Sequence, residues 1–185
     1  MSMVEQAFAI INRQDFIPED LREQASLDMP LPIGFGQTNS QPSTVQSMLE
    51  WLDPQPGQKV LDVGSGSGWT TALLATIVGP EGRVFAVEKV PELVQIGKDN
   101  CEAAGVRNVQ FFHASDEHGL SKYAPYDRIL VSAAAQTLSK ALLSQLRVNG
   151  KLVVPVQNDI LEITKLTDHD YEVVTHPGYV FVPLV

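Results

Sequence analysis

Residues 60–69 read VLDVGSGSGW, an apolar run that breaks into three glycines spaced two apart. Val60 to Val63 have the character of a buried strand, and Trp69 opens WTTALLATIV, a stretch of helical character. A strand that turns through Gly64, Gly66 and Gly68 into a helix reads as the first βα unit of an open α/β sheet. Glycines there let the backbone turn tightly and leave no side chain between it and a flat ligand. Working outward, RVFAVE (83–88) is a second strand and PELVQIGKDNCEAAG a helix bounded by Pro91 and Gly105. NVQFFHA and DRILVSAAA are further strands, and LSKALLSQLRVNG reads as a helix ended by Gly150. GKLVVPV, DILEITKL and the tail from YEVVTHP to YVFVPLV follow as strands with no helical run between them. The expected fold class is α/β, a doubly wound Rossmann-like sheet, mostly parallel with an antiparallel C-terminal edge.

Upstream, residues 3–12 read as a short helix, and Pro18 as the opening of another. STVQSMLEWL sets Val45, Met48, Leu49 and Leu52 at helical spacing before DPQPG stops it. These segments form an expected N-terminal helical cap. Between them lies GFGQTNSQP (34–42), whose glycines and small polar side chains suit a surface loop better than a strand or a core. Residues 1–185 are expected to form a single domain, with 1–55 as cap and substrate loop and 56–185 as the Rossmann-like core.

The chain has 185 residues, 44% hydrophobic and 19% charged, enough for one domain with a real core. Its net charge of −9, from 22 acids against 13 bases, comes without a basic stripe, so nucleic acid is not an expected partner. No apolar run approaches the ~18 residues of a membrane span. The N-terminus carries Glu5 in its apolar stretch and no basic start, unlike a secretory signal. Cys101, the single cysteine, cannot form an internal disulfide, and the cytoplasm is the expected compartment. His113, His118, His169 and His176 lack metal-ligand spacing, and no metal is expected.

Glu88 stands at the end of the second strand, 22 residues past Gly66. At that distance an acid reaches the ribose hydroxyls of a bound adenosine. The dinucleotide fingerprint wants another glycine three positions after Gly66, where Trp69 stands. Asp62, two residues before Gly64, would repel a pyrophosphate yet suits an amino group or a sulfonium, and no Tyr-x-x-x-Lys pair supports hydride chemistry. S-adenosylmethionine is the better fit. Ser115 or Asp116, in FFHASDEHG, could hydrogen-bond the adenine edge or simply serve a turn.

With RQDFIP (13–18), LPIGFGQTNSQP (31–42), AVEKVPEL (86–93), APYDRILVSAAA (124–135), LLSQLRVNGKLVVPV (142–156) and FVPL (181–184), the sequence resembles the protein-L-isoaspartate O-methyltransferases, a class I S-adenosylmethionine-dependent family. The Gly-Gln-Thr-x-Ser-x-Pro loop is far more specific to it than the glycine loop. The resemblance implies methyl transfer to the misplaced carboxylate of L-isoaspartyl residues in damaged proteins or peptides, with S-adenosylhomocysteine as product. It implies Ser40 as the active-site residue, and Thr38 and Ser40 beside the methionine end of the cofactor. Gly64, Ser65 and Gly66 would lie along the cofactor, and Glu88 with Lys89 at the ribose. Ser40 can also cap the helix just ahead of Pro42.

Four features depart from the family pattern. Asn39 stands where isoleucine is usual, and Ala114, Ser115 and Asp116 stand where the family has Gly-Asp-Gly. The N-terminus is short, and Val185 occupies a position where a polar residue can contribute. A carboxylate accepts better than a hydroxyl, so Asp116 rather than Ser115 is the expected adenine partner. Two other functions stay open: a methyltransferase of this fold acting on another carboxylate or small molecule, and a non-enzymatic S-adenosylmethionine-binding protein.

Overall fold

The computed structural model describes residues 1–115 and 117–184. The cap opens with α1 (Met3–Ile10), whose N-terminus is closed by a reciprocal pair: Glu5 N–H donates to Ser2 Oγ, and Ser2 N–H to Glu5 Oε2. Two 3-10 turns follow, Arg13–Phe16 and Glu19–Gln24, the second directly after Pro18.

Residues 31–39 then depart from the sequence expectation. They form an antiparallel hairpin of β1 (Leu31–Gly34) and β2 (Gln37–Asn39), with Leu31 opposite Asn39 and Pro32 opposite Thr38. Its tip, Gly34-Phe35-Gly36, has φ of +85°, +56° and +71°. The glycines are therefore the turn chemistry of a hairpin, with Phe35 carried in a conformation that bulky side chains avoid. Helix α2 (Pro42–Leu52) follows, burying Val45, Met48, Leu49 and Leu52 as their spacing predicts.

The core alternates as expected: β3 (Lys59–Val63), α3 (Trp69–Val78), β4 (Arg83–Glu88), α4 (Pro91–Ala103), β5 (Val109–His113), β6 (Tyr126–Val131) and α5 (Lys140–Gln145). Then come β7 (Leu146–Val156), β8 (Asp159–Lys165) and β9 (Tyr171–Pro177). Among the described residues, β3 to β9 form one sheet in the order β5-β4-β3-β6-β7-β8-β9. It is parallel from β5 to β7, and β8 and β9 add antiparallel hairpins at the edge. No described helix is long and apolar enough to cross a membrane.

Two boundaries differ from the sequence expectation. The helix read from LSKALLSQLRVNG stops at Gln145, not at Gly150, and residues 146–150 begin β7. Leu146 meets the helical spacing from Leu142, but it is fully buried and pairs with Tyr126 in the sheet. Asn149 then takes φ +64°, which no helix continues through. The second half of the tail is not a strand either. Beyond Pro177 it is an irregular segment held at two places: Gly178 N–H (3.0 Å) and Tyr179 N–H (2.9 Å) donate to Asn158 O, and further on Ala134 N–H donates to Val182 O (2.7 Å) and Leu184 N–H to Ala134 O (2.8 Å).

Alternation along β3 divides the core. Val60 faces a layer built from Val4, Ala7, Met48, Leu49, Leu73 and Leu74, so the cap shares its apolar cluster with the sheet. Leu61 and Val63 face the other layer, with Phe85, Tyr126, Leu142 and Leu152. After β5 the chain crosses to the far side of β3 to form β6. Strand order reverses there, and a crevice opens at the carboxyl ends of β3, β4 and β6.

Candidate active site

The glycine loop after β3 forms the floor of that crevice. Gly64 N–H (2.8 Å) and Ser65 N–H (3.2 Å) donate to Val87 O at the end of β4, and Gly66 N–H donates to Glu88 Oε2 (2.8 Å). Gly68, at φ +90°, packs straight onto α4, where any Cβ would lie 2.8 Å from Gly97 O. Helix α3 thus starts at the cleft with its free N–H groups turned towards it. Ser67 O is held by Asn100 Nδ2 (2.9 Å).

Glu88 is buried, and its other oxygen accepts from Lys89 N–H (2.8 Å) and Val90 N–H (3.0 Å). A carboxylate offers about four acceptor sites; three are taken by backbone, and the group still lines the cleft. Glu88 therefore also staples the glycine loop to the turn before α4, a second task that spacing alone does not reveal.

The opposite wall is the hairpin. Thr38, Asn39 and Ser40 line the cleft, and the tail contributes Val182, Pro183 and Leu184. The hairpin is held by Arg13, a buried guanidinium in the RQDFIP stretch. Arg13 Nη1 donates to Ala25 O (3.2 Å) and Leu27 O (3.0 Å). Nη2 donates to Met29 O (2.8 Å), Asn39 O (3.3 Å) and Ser40 O (3.1 Å), and Nε to Asn39 Oδ1 (2.8 Å). Burial lowers its basicity, and the charge of Asp28 opposes that. The guanidinium also lies over the Trp69 ring, 5.4 Å from its centroid.

The residue-by-residue outcome is mixed. Thr38, Ser40, Gly64, Ser65, Gly66, Glu88 and Lys89 come together around the cleft. Asp62 does not reach its surface. It shares the α3-facing side of β3 with Val60, is fully buried and accepts from Thr71 Oγ1 (2.6 Å). Burial pushes its carboxyl up to about 7, against the Thr71 hydrogen bond and with a smaller push from Glu88. Ser115 is exposed and its hydroxyl accepts from Glu117 N–H (3.3 Å); its neighbour Ala114 lines the cleft instead. Asp116 and Val185 lie outside the described residues.

The capping role considered for Ser40 is not what the structure has. The N-cap of α2 is Gln41, without a side-chain cap, and Asp28 does the work from the preceding loop. Its carboxylate accepts from Ser43 N–H (2.9 Å) and Gln41 Nε2 (3.1 Å), which holds it below the usual carboxylate range.

The model of the protein-L-isoaspartate(D-aspartate) O-methyltransferase family matches residues 1–185. The chain belongs to that family. The protein-L-isoaspartate O-methyltransferase of Methanothrix thermoacetophila is 44% identical, over 98% of this chain and 87% of the relative. That of Pyrococcus horikoshii is 42% identical, over 98% and 84%. A solved protein-L-isoaspartate O-methyltransferase superposes with a TM-score of 0.90 at 26% identity, over 100% of this chain and 62% of that one. A Plasmodium falciparum protein assigned to the same family, crystallised with S-adenosyl-L-homocysteine, gives 0.89 at 25% identity, over 100% and 91%.

The methyltransferase cofactor, S-adenosylmethionine, fits the residues present. Among the described residues, the buried side-chain polar atoms without a partner are Asp62 Oδ1, Ser65 Oγ and Trp69 Nε1. All three lie in the segment that encloses the glycine loop, and Ser65 and Trp69 line the cleft. An unpaired buried polar group costs about 1–3 kcal/mol, and the two that line the cleft, Ser65 Oγ and Trp69 Nε1, are groups a bound ligand can satisfy.

Proposed function

We propose that this chain methylates the misplaced carboxylate of L-isoaspartyl residues in damaged proteins or peptides, with Ser40 and Thr38 at the substrate and the glycine loop and Glu88 at the cofactor. The observation that carries this reading is the join of two walls at one crevice: an adenosine-type floor and the Gln37-Thr38-Asn39-Ser40 strand end. When bound, S-adenosylmethionine supplies an electrophilic methyl group on a cationic sulfur. Ser65 and Gly66 would hold it, and the free acceptor capacity of Glu88 would serve the ribose hydroxyls, with Lys89 at the rim.

A carboxylate is already a nucleophile, so no general base is required. The task of this wall is in-line placement, partial desolvation and hydrogen bonds that orient without trapping. Thr38 and the half-buried Ser40 offer hydroxyls of that strength. Arg13 supports them by gripping the backbone carbonyls of Asn39 and Ser40. Pro183 and Leu184 add apolar surface to the lining of the cleft. The neighbouring backbone amide nitrogen of the substrate then attacks the resulting ester, loses its proton and expels methanol, closing a succinimide that begins repair.

In this reading residues 1–185 work as a single domain, since cap and core share one apolar cluster. The buried, free Cys101 is in keeping with a cytoplasmic setting. The test is methyl transfer from labelled S-adenosylmethionine to paired peptides that differ only in an isoaspartyl or an aspartyl linkage. Labelling of the isoaspartyl peptide alone is expected; equal labelling of both, or of neither, would remove the proposed substrate.

A further inference from the structure

Asn39 stands where the family pattern expects isoleucine, yet it is buried, with 5% of its surface exposed. A buried carboxamide needs partners on both ends. Arg13 Nε can only donate, so Asn39 must present Oδ1 to it (2.8 Å), which turns Nδ2 towards Ser67 Oγ (3.4 Å). Ser67 is itself buried and belongs to the glycine loop. Among the described residues this is the side-chain hydrogen bond that joins the hairpin to the glycine loop. It is long on the Ser67 side and short on the Arg13 side.

We infer that Asn39 is a positioning residue that couples cofactor binding at the glycine loop to substrate binding at Ser40, an inference that rests on the site reading above. Each end of the strap is anchored. On the cofactor side, Asn100 holds Ser67 O (2.9 Å) and Glu88 holds Gly66 N–H (2.8 Å). A ligand that settles on this loop fixes the position of Ser67 Oγ. On the substrate side, the same guanidinium that bonds Asn39 Oδ1 also bonds Asn39 O and Ser40 O (3.3 and 3.1 Å). A shift of the carboxamide is therefore passed to Arg13 and to the backbone that presents the Ser40 hydroxyl. An apolar side chain at position 39 would fill the space without tying the two loops. Such coupling is reciprocal, and each ligand raises the affinity for the other by the same factor.

The experiment measures affinity for an isoaspartyl peptide by calorimetry, with and without saturating S-adenosylhomocysteine. It compares the parent with Asn39→Leu and Ser67→Ala. In the parent the peptide is expected to bind at least about fivefold tighter when the nucleoside is present. In both variants the ratio should fall to within about twofold of unity, whatever happens to the absolute affinities. A merely structural Asn39 would lower stability and leave the ratio alone. Ser67→Ala removes one hydroxyl and leaves the Arg13 contact, so it decides the matter should Asn39→Leu not fold. An unchanged ratio in Ser67→Ala overturns the inference, as does a parent that methylates the peptide but binds the two ligands independently. A parent that binds neither ligand overturns the site reading with it.

Discussion

The glycine-loop wall of the cleft is held by several separate bonds to the strand and helix beside it. Backbone groups of residues 64–68 bond to Val87, Glu88 and Asn100, and the loop rests on Gly97 without an intervening side chain. The hairpin wall depends instead on a single buried guanidinium, which gathers carbonyls from residues 25, 27, 29, 39 and 40. The first wall is redundant and tied to the sheet. The second is modular: besides the packing of Leu31 and Ile33 against Leu93 of α4, it is tied by one guanidinium and by the Asn39–Ser67 contact. A flat nucleoside needs a rigid floor; a substrate that arrives as a peptide needs a wall that can be adjusted without disturbing that floor.

Removing Arg13 should break this contrast most visibly. Arg13→Met leaves five backbone carbonyls and Asn39 Oδ1 without their donor, at about 1–3 kcal/mol for each that stays dry. We expect a loss of about 3 kcal/mol or more in thermal or denaturant unfolding, with turnover on an isoaspartyl peptide nearly abolished. Lysine cannot replace the fork of donors and should rescue little. S-adenosylhomocysteine affinity measured on the folded fraction should fall by much less than turnover. Equal losses would mean the two walls are one unit.

Glu88 sharpens the other side. Glu88→Ala frees three backbone N–H groups and removes the proposed ribose acceptor. We expect S-adenosylhomocysteine to bind about 10- to 100-fold more weakly, or about 1.5–3 kcal/mol. Glu88→Gln, which still accepts through one oxygen, should fall between. Calorimetry reads both, and equal affinity in parent and Glu88→Ala would take Glu88 out of the site.

Asp62 probes the floor through pH. Its carboxyl titrates near 7 when folded, against about 3.8 in the free group. Between about pH 4 and pH 7 the native state thus holds one more proton than the unfolded chain. Stability of the ligand-free protein should fall as pH rises through that window and level off above it. The full swing is on the order of 2 kcal/mol once some relaxation is allowed. Asp62→Asn keeps an acceptor for Thr71 and has no proton to lose, so its melting temperature should be flatter across the window. Parallel pH profiles would show that Asp62 is ionised throughout.

The same contrast explains what the sequence disclosed. The floor was legible because its signals come at fixed spacing: a strand, three glycines and an acid all lie in one βαβ unit. The place of Glu88 at the strand end was legible, although its backbone bonds were not. The hairpin wall was legible only as composition, and GFGQTNSQP was read as a loop because strands of four and three residues carry too little alternation to register. Arg13 bonds partners up to 27 residues away, which no periodicity encodes. The available signal was an arginine set between Ile11 and Phe16, both buried. The end of α5 was misread because Leu142 and Leu146 suit a helix face as well as a helix followed by a buried strand. The tail's place at the cleft rests on two backbone bonds to Ala134, a pairing that only the fold creates.

Ser40→Ala tests the division of labour most directly, because it removes one hydroxyl from the hairpin wall and leaves the backbone carbonyl that Arg13 holds. The measurement is kcat/KM for an isoaspartyl peptide beside the Kd of S-adenosylhomocysteine on the same preparation. We expect kcat/KM to fall by about tenfold or more, some 1.4 kcal/mol at the transition state, while Kd and melting temperature stay within about twofold and a few degrees of the parent. A loss in Kd that matches the loss in kcat/KM, or turnover that survives intact, would contradict the assignment of Ser40 to the substrate wall.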